Sequence, residues 1–170
     1  MPKDDQLRQQ RLVFYKDDLA RIDRMLQDFL QLSKAKCALL IDKDGHLVTR
    51  TGTGVTYDLD TISALVAGSF AATKEMARLL GEEEFSVLFH QGVKDNIQLS
   101  LIGERTLMAV IFDDKTTVGM VRLYSAEVGK KLYTVFQEIL SRKPGDKGAE
   151  KIDKGFGDAA QNKLDDMFGE

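Results

Sequence analysis

Asp58–Gly81 reads DLDTISALVAGSFAATKEMARLLG and is the most strongly helical stretch of the chain. Ile62, Leu65, Val66, Ser69, Thr73, Met76 and Leu80 recur at helical spacing, which predicts a buried stripe. The other side carries Ala64, Ala67, Gly68 and Ala71, followed by Lys74, Glu75 and Arg78. A glycine in mid-helix costs about 1 kcal/mol relative to alanine. Gly68 therefore calls for a compensating contact, and a ridge of small residues lets another backbone or helix come close. The ridge reads as a contact surface. Asp58 or Asp60 is the expected N-cap, and Gly81 closes the helix.

Upstream, Tyr15 to Lys34 carries Leu19, Ile22, Met25, Leu26, Phe29, Leu30 and Leu32, with Asp17 and Asp18 in the first turn. This predicts an amphipathic helix whose acids complement its dipole. Cys37-Ala38-Leu39-Leu40-Ile41-Asp42 is too short for a helix and apolar enough for a buried strand. Lys43-Asp44-Gly45 turns it, and His46–Thr51 returns as the second strand of a hairpin.

Downstream, Phe85–Lys94 has no clean period and reads as a helical extension or a short strand across the end of the sheet. Asn96–Ile102 alternates apolar and polar, and Thr106–Phe112 is more uniformly apolar, as a central strand would be. The threonines, valines and interior glycine of Thr116–Tyr124 favour a further strand. Ser125 is then the expected cap of a last helix, with Val128, Leu132, Val135, Phe136, Ile139 and Leu140 as its buried stripe. The expected order is α-β-β-α-β-β-β-α: an α+β fold with one five-stranded antiparallel sheet and helices on both faces.

The expected organisation is a flexible leader over residues 1–12, a domain over 13–142, a charged glycine-rich linker over 143–158 and an amphipathic segment over 159–170. In that last segment Ala160, Leu164, Met167 and Phe168 share a face. It reads equally as a helix that docks in a partner's groove or as a terminus folded back on its own domain.

The composition is 43% hydrophobic and 30% charged, which supports one core and a solvated surface. A net charge of −3, without a basic run, argues against nucleic acid as the main partner. The lone Cys37 cannot form an internal disulfide, and its apolar surroundings would raise its pKa rather than activate it. The N-terminal residues lack a secretory pattern and no run approaches membrane-spanning length, so the expected location is the cytoplasm.

Catalytic and cofactor motifs are equally scarce. Gly52-Thr53-Gly54 lacks the spacing of a phosphate-binding loop. His46 and His90 have no partners at zinc-ligand spacing, and Asp42-Lys43-Asp44-Gly45 lacks the later ligands of a calcium loop, so a hairpin turn explains it better. Asp58/Asp60 and Asp113/Asp114 read as a cap and a turn. The expectation is no catalytic residue, no cofactor, no metal, and work done by binding.

Leu39–Gly45, Leu65-Val66-Ala67-Gly68, Leu79-Leu80-Gly81-Glu82 and Val110-Ile111-Phe112-Asp113, in this order and spacing, resemble the roadblock / dynein light chain superfamily. Within it the chain is similar to the MglB family, bacterial regulators of the Ras-like GTPase MglA. The resemblance covers roughly residues 13–142, and His90-Gln91-Gly92 and Leu164-Asp165-Asp166 share it.

The resemblance implies a homodimer with sheets joined edge to edge and the two Asp58–Gly81 helices side by side. It implies a partner, a Ras-like GTPase of MglA type, received on Thr61, Ala64, Ala67, Gly68, Ala71, Lys74, Glu75 and Arg78. The implied activity is GTPase activation, with nucleotide exchange as a second effect, by remodelling the GTPase without an arginine finger. Leu164, Met167 and Phe168 would anchor a second contact. Control of cell polarity and gliding motility, and concentration at a cell pole, come with the same resemblance. A roadblock scaffold that binds without accelerating hydrolysis is the alternative.

Overall fold

The structure, a computed structural model, describes residues 14–53 and 58–142. The elements are α1 (Lys16–Ser33), β1 (Cys37–Asp42), β2 (Leu47–Gly52), α2 (Leu59–Leu80), β3 (Val87–His90), β4 (Asn96–Ile102), β5 (Thr106–Phe112) and α3 (Val118–Ser141). The five strands form one antiparallel sheet in the order β2-β1-β5-β4-β3. The expected α-β-β-α-β-β-β-α order and five-stranded α+β fold are therefore present. The leader, the linker over 143–158 and the segment 159–170, with Leu164, Met167 and Phe168, lie outside the described residues.

The third strand of the later group is not where the sequence pointed. Thr116–Tyr124 is not a strand, because Val118 onward is helix, and the additional strand is β3 in the unpatterned Phe85–Lys94 stretch. The reason is the longer period: Val121, Ser125, Val128, Leu132, Val135, Phe136 and Ile139 are all buried at helical spacing along α3. One continuous stripe outweighs the local β preference of two valines and a glycine. Thr117 caps this helix, its Oγ1 accepting from the Met120 N–H at 3.2 Å. Ser125 is buried in the helix interior rather than at its start.

The described residues divide into two compact units, Ala20–Thr134 and a second formed by residues 14–19 with 135–142. In the first, β5 is the central strand, flanked by β1 and β4, and every residue of β5 is buried. Strand alternation gives the sheet two apolar faces. On one, Cys37, Leu39, Ile41, Leu99, Leu107, Ala109 and Ile111 form a cluster with Leu59, Val66, Ala67 and Phe70 of α2. On the other, Ala38, Leu40, Met108 and Val110 are fully buried. A bulge between Leu40 and Ile41 pairs Leu40 with Thr49 but Ile41 with Leu47, so Val48 is the extra residue. Thr49 then reaches α1, donating to Asp23 at 2.6 Å, while Leu47 packs on the α2 side. Lys36, just before β1, pairs with Asp95 beside β4 at 3.0 Å.

In the second unit, Arg142 makes two 2.9 Å hydrogen bonds to the Asp18 carboxylate and lies 5.1 Å from the centre of the Tyr15 ring. The Tyr15 N–H donates to the same carboxylate at 3.0 Å, and Phe14 meets Phe136 edge to face. Among the described residues, no helix is long and apolar enough to cross a membrane.

Candidate functional site

Helix α2 is built with defined ends. The Asp58 carboxylate accepts from the backbone N–H groups of Asp60 and Thr61 and from the Thr61 hydroxyl at 2.7 Å. The Thr61 side chain, then its backbone, hold the Asp58 carboxyl below its usual pKa. Asp58, not Asp60, is the cap. At the other end Gly81 adopts φ +81°, with Glu82 N–H bonded to Ala77 O and Gly81 N–H to Arg78 O. That is a Schellman closure, and it needs the left-handed conformation that glycine adopts cheaply.

The helix is rotated relative to the expected stripe. Leu59, Ser63, Val66, Ala67, Phe70 and Ala77 face inward. Leu65, Met76 and Leu80, expected in the core, are exposed at 66%, 52% and 73%. Ser69 is exposed too, and Thr73 is half-buried with its hydroxyl on Phe70 O. Size is the physical reason. The hairpin turn comes so close that a Cβ on Gly45 would lie 3.0 Å from Ala64 Cα and 3.5 Å from Ala67 Cβ. Small residues are needed inside at that point, and the bulky ones turn outward.

Of the residues expected to receive a partner, Thr61, Ala64, Gly68, Ala71, Lys74, Glu75 and Arg78 do lie together on the exposed side of α2. Ala67 does not: it is packed in the core cluster. Gly68 has nothing within 4 Å of where a Cβ would stand. No packing by the described residues therefore requires its lack of a side chain. Leu65, Ala72, Met76 and Leu79 extend the same surface; Leu65 and Met76 were missed because large apolar residues at helical spacing were read as core, while Ala72 and Leu79 were assigned to neither side. The usable signal was that α2 has more apolar positions than one sheet face can cover.

Charge on this surface is already paired. Arg78 binds Glu75 one turn earlier, which raises the Arg78 pKa, and Lys74 stands 3.9 Å from Glu84. The arrangement suits docking of a protein surface: apolar positions at its centre and charged pairs toward its end.

Other chemistry is meagre among the described residues. Asp42, Asp44 and His46 bring ligand atoms within 4.8 Å at the hairpin turn, closer than the sequence spacing suggested. Both Asp42 oxygens are engaged there, accepting from Asp44 N–H, His46 N–H and the His46 ring, so turn geometry accounts for the cluster. The Cys37 thiol is buried; burial pushes its pKa up, with nearby Arg50 opposing.

The Roadblock/LC7 domain profile matches residues 21–112, from α1 to the end of β5. The chain belongs to the Roadblock/LC7 family. Among solved structures it is similar to MglB of Myxococcus xanthus, with 33% identity over 69% of this chain and 96% of that one, TM-score 0.67. The gliding protein MglB of Thermus thermophilus gives 32% identity, 75% and 96% coverage and TM-score 0.71. An MglB described with a tetrameric arrangement gives 31%, the same coverages and 0.72. A Roadblock/LC7 domain from Streptomyces avermitilis, at 16% identity and TM-score 0.62, shares the fold. Comparison with curated protein sequences gave no match. Within the Roadblock/LC7 family the chain is thus MglB-like, the resemblance that its motifs carried.

Proposed function

We propose that this Roadblock/LC7 protein regulates a small Ras-like GTPase of MglA type, as a homodimer that accelerates GTP hydrolysis and also promotes exchange. The observation that carries the reading is the outward side of α2: Gly68 open to solvent and flanked by exposed Ala64 and Ala71, on a helix whose opposite side is anchored in the core. A helix with both ends capped and one side locked presents that ridge rigidly, which lowers the ordering cost of binding.

Ras-type hydrolysis depends on placing the attacking water and stabilising charge on the transferred phosphoryl group. Arg78 is the cation on this surface that could act in trans. Its pairing with Glu75 on the same helix supports a regulator that reshapes the GTPase rather than inserting an arginine. Ala159–Phe168, with Leu164, Met167 and Phe168, supplies a second contact to the GTPase, and the role belongs to the control of polarity and gliding motility at a cell pole.

The test is single-turnover GTP hydrolysis by the cognate GTPase, with wild type, Gly68→Arg, Arg78→Ala and a chain ending at residue 144. Acceleration by wild type and Arg78→Ala, lost in Gly68→Arg, supports the proposal. Binding without acceleration identifies a scaffold instead. Loss of stimulation in Arg78→Ala with binding intact makes Arg78 a finger. Unchanged binding, hydrolysis and exchange in the shortened chain remove the terminal segment from the mechanism.

A further inference from the structure

On the sheet face opposite α2, β4 and α3 line an open cavity of about 510 Å³ within the Ala20–Thr134 unit. This lies in the size range of small-molecule sites, roughly 300–1,000 Å³. Its walls are mainly apolar, with Val87, Leu101, Ile102 and Ala126 among them.

Two side chains that line it are almost wholly buried, and each has an oxygen with no hydrogen-bond partner among the described residues: Gln98 Oε1 and Ser125 Oγ, on residues 1% and 4% exposed. The Gln98 Nε2 makes a long 3.4 Å contact to Ser100. Turning the amide over only exchanges which end is left over. Buried polar groups are ordinarily satisfied, and an orphan just beneath the wall of a groove can be satisfied by a ligand there once its side chain turns outward.

The remaining features have one sign and one shape. The lining includes Arg122 and Lys130 and contains no carboxylate. Arg122 lies three residues before Ser125 and Lys130 four after Ala126, so both project from the same side of α3. Between them Gly129 sits in mid-helix with nothing within 4 Å of where its Cβ would stand. The helix accepts a poor residue there, and the consequence is an open cavity floor.

We propose that this cavity binds a small amphipathic carboxylate. Its acid group accepts from the Ser125 hydroxyl and the turned Gln98 amide beside the Arg122 and Lys130 charges, and its hydrocarbon body lies against Val87, Ile102 and Ala126. The site is on the other face of the sheet from α2 and does not depend on the GTPase reading.

The experiment is a titration of the isotope-labelled full-length chain with octanoate, followed by amide chemical shifts, with 1-octanol as the uncharged match. Octanoate is expected to bind saturably, shifting Gln98, Ser125 and Gly129, and octanol far more weakly. Arg122→Glu with Lys130→Glu should cut octanoate affinity by about tenfold or more, the loss of charge-assisted contacts. Gly129→Leu should abolish binding while raising Tm, so that lost binding cannot be blamed on unfolding. Absence of saturation at millimolar octanoate, equal binding of octanol, or binding retained by a folded Gly129→Leu each overturns the proposal.

Discussion

Gly45 and Ala64 meet with no room for a side chain on the first: a Cβ added to Gly45 would stand 3.0 Å from Ala64 Cα. The turn of the β1–β2 hairpin is thereby pressed against the N-terminal half of α2. Gly45 also has φ +92°, where L side chains are strained. Gly45→Ala should cost about 2 kcal/mol, one part conformational and one part displacement of helix backbone, which cannot yield as a side chain could. Urea denaturation measures it, and a cost below about 0.5 kcal/mol would mean that the turn is not pinned to the helix.

That contact divides the small-residue ridge in two. Ala64 is constrained by its own hairpin, whereas Gly68 faces open space. Gly68→Ala should therefore stabilise the fold by about 0.5–1 kcal/mol, the ordinary helix preference. Gly68→Arg should keep the native Tm and circular dichroism while weakening GTPase binding by about two orders of magnitude, as expected when bulk and charge enter a packed contact centre. Ala64→Arg is the less clean variant, because it also presses on the hairpin. Calorimetric titration against the GTP-loaded GTPase distinguishes lost docking from lost fold.

The sheet was legible because its strands announce themselves in two ways. Leu39 and Ile41 alternate with Ala38 and Leu40 between two apolar faces, and β5 is buried throughout and apolar from Leu107 to Phe112 because it is central. Edge strand β3 was not legible: with Val87 and His90 exposed and Leu88 and Phe89 half-buried, it has neither alternation nor a continuous run. The first turn of α3 was misread because seven residues were weighed alone, although Val121 already belongs to the stripe that continues to Ile139. For the candidate site, small size marked Gly68, and no packing by the described residues accounts for its missing side chain. It could not tell Ala64 from Ala67, since which alanine meets the core depends on how the hairpin turn sets the helix rotation.

Asp58 gives α2 a pH signature. Its folded-state pKa is lowered by the Thr61 hydroxyl, then by the backbone N–H groups. A lowered carboxyl contributes stability that is present above the unfolded pKa, about 3.9, and is lost as pH falls through the folded value. Asp58→Ala should lower Tm at pH 7, and the gap from wild type should close as the pH is taken below about 4. A gap independent of pH would show that the carboxylate charge plays no part in the cap.

Arg142 and Asp18 join positions 124 residues apart through two hydrogen bonds of 2.9 Å, with side chains only 23% and 11% exposed. A forked pair in such a setting is worth more than a surface ion pair, and losing it leaves a largely buried carboxylate undercompensated. Arg142→Met should cost about 1–3 kcal/mol in urea denaturation. Asp18→Asn should cost less, because its amide oxygen still accepts from one arm of the guanidinium. A double-mutant cycle checks that the two losses share one interaction; strictly additive costs would remove the coupling.

Leu65 and Leu79, two heptads apart, stay on one side of α2 and are exposed at 66% and 73%. Burying a leucine side chain is worth about 1.5–3 kcal/mol, and neither position contributes this to the chain by itself. Leu65→Ser with Leu79→Ser should accordingly leave the chain folded while shifting it from the mass of two chains toward one in analytical ultracentrifugation. The dissociation constant should rise by at least about tenfold, because two such contacts would be removed from each half of a two-fold interface. If the mass stays that of a dimer and GTPase binding is lost instead, these leucines belong to the docking surface, and self-association uses another part of the fold.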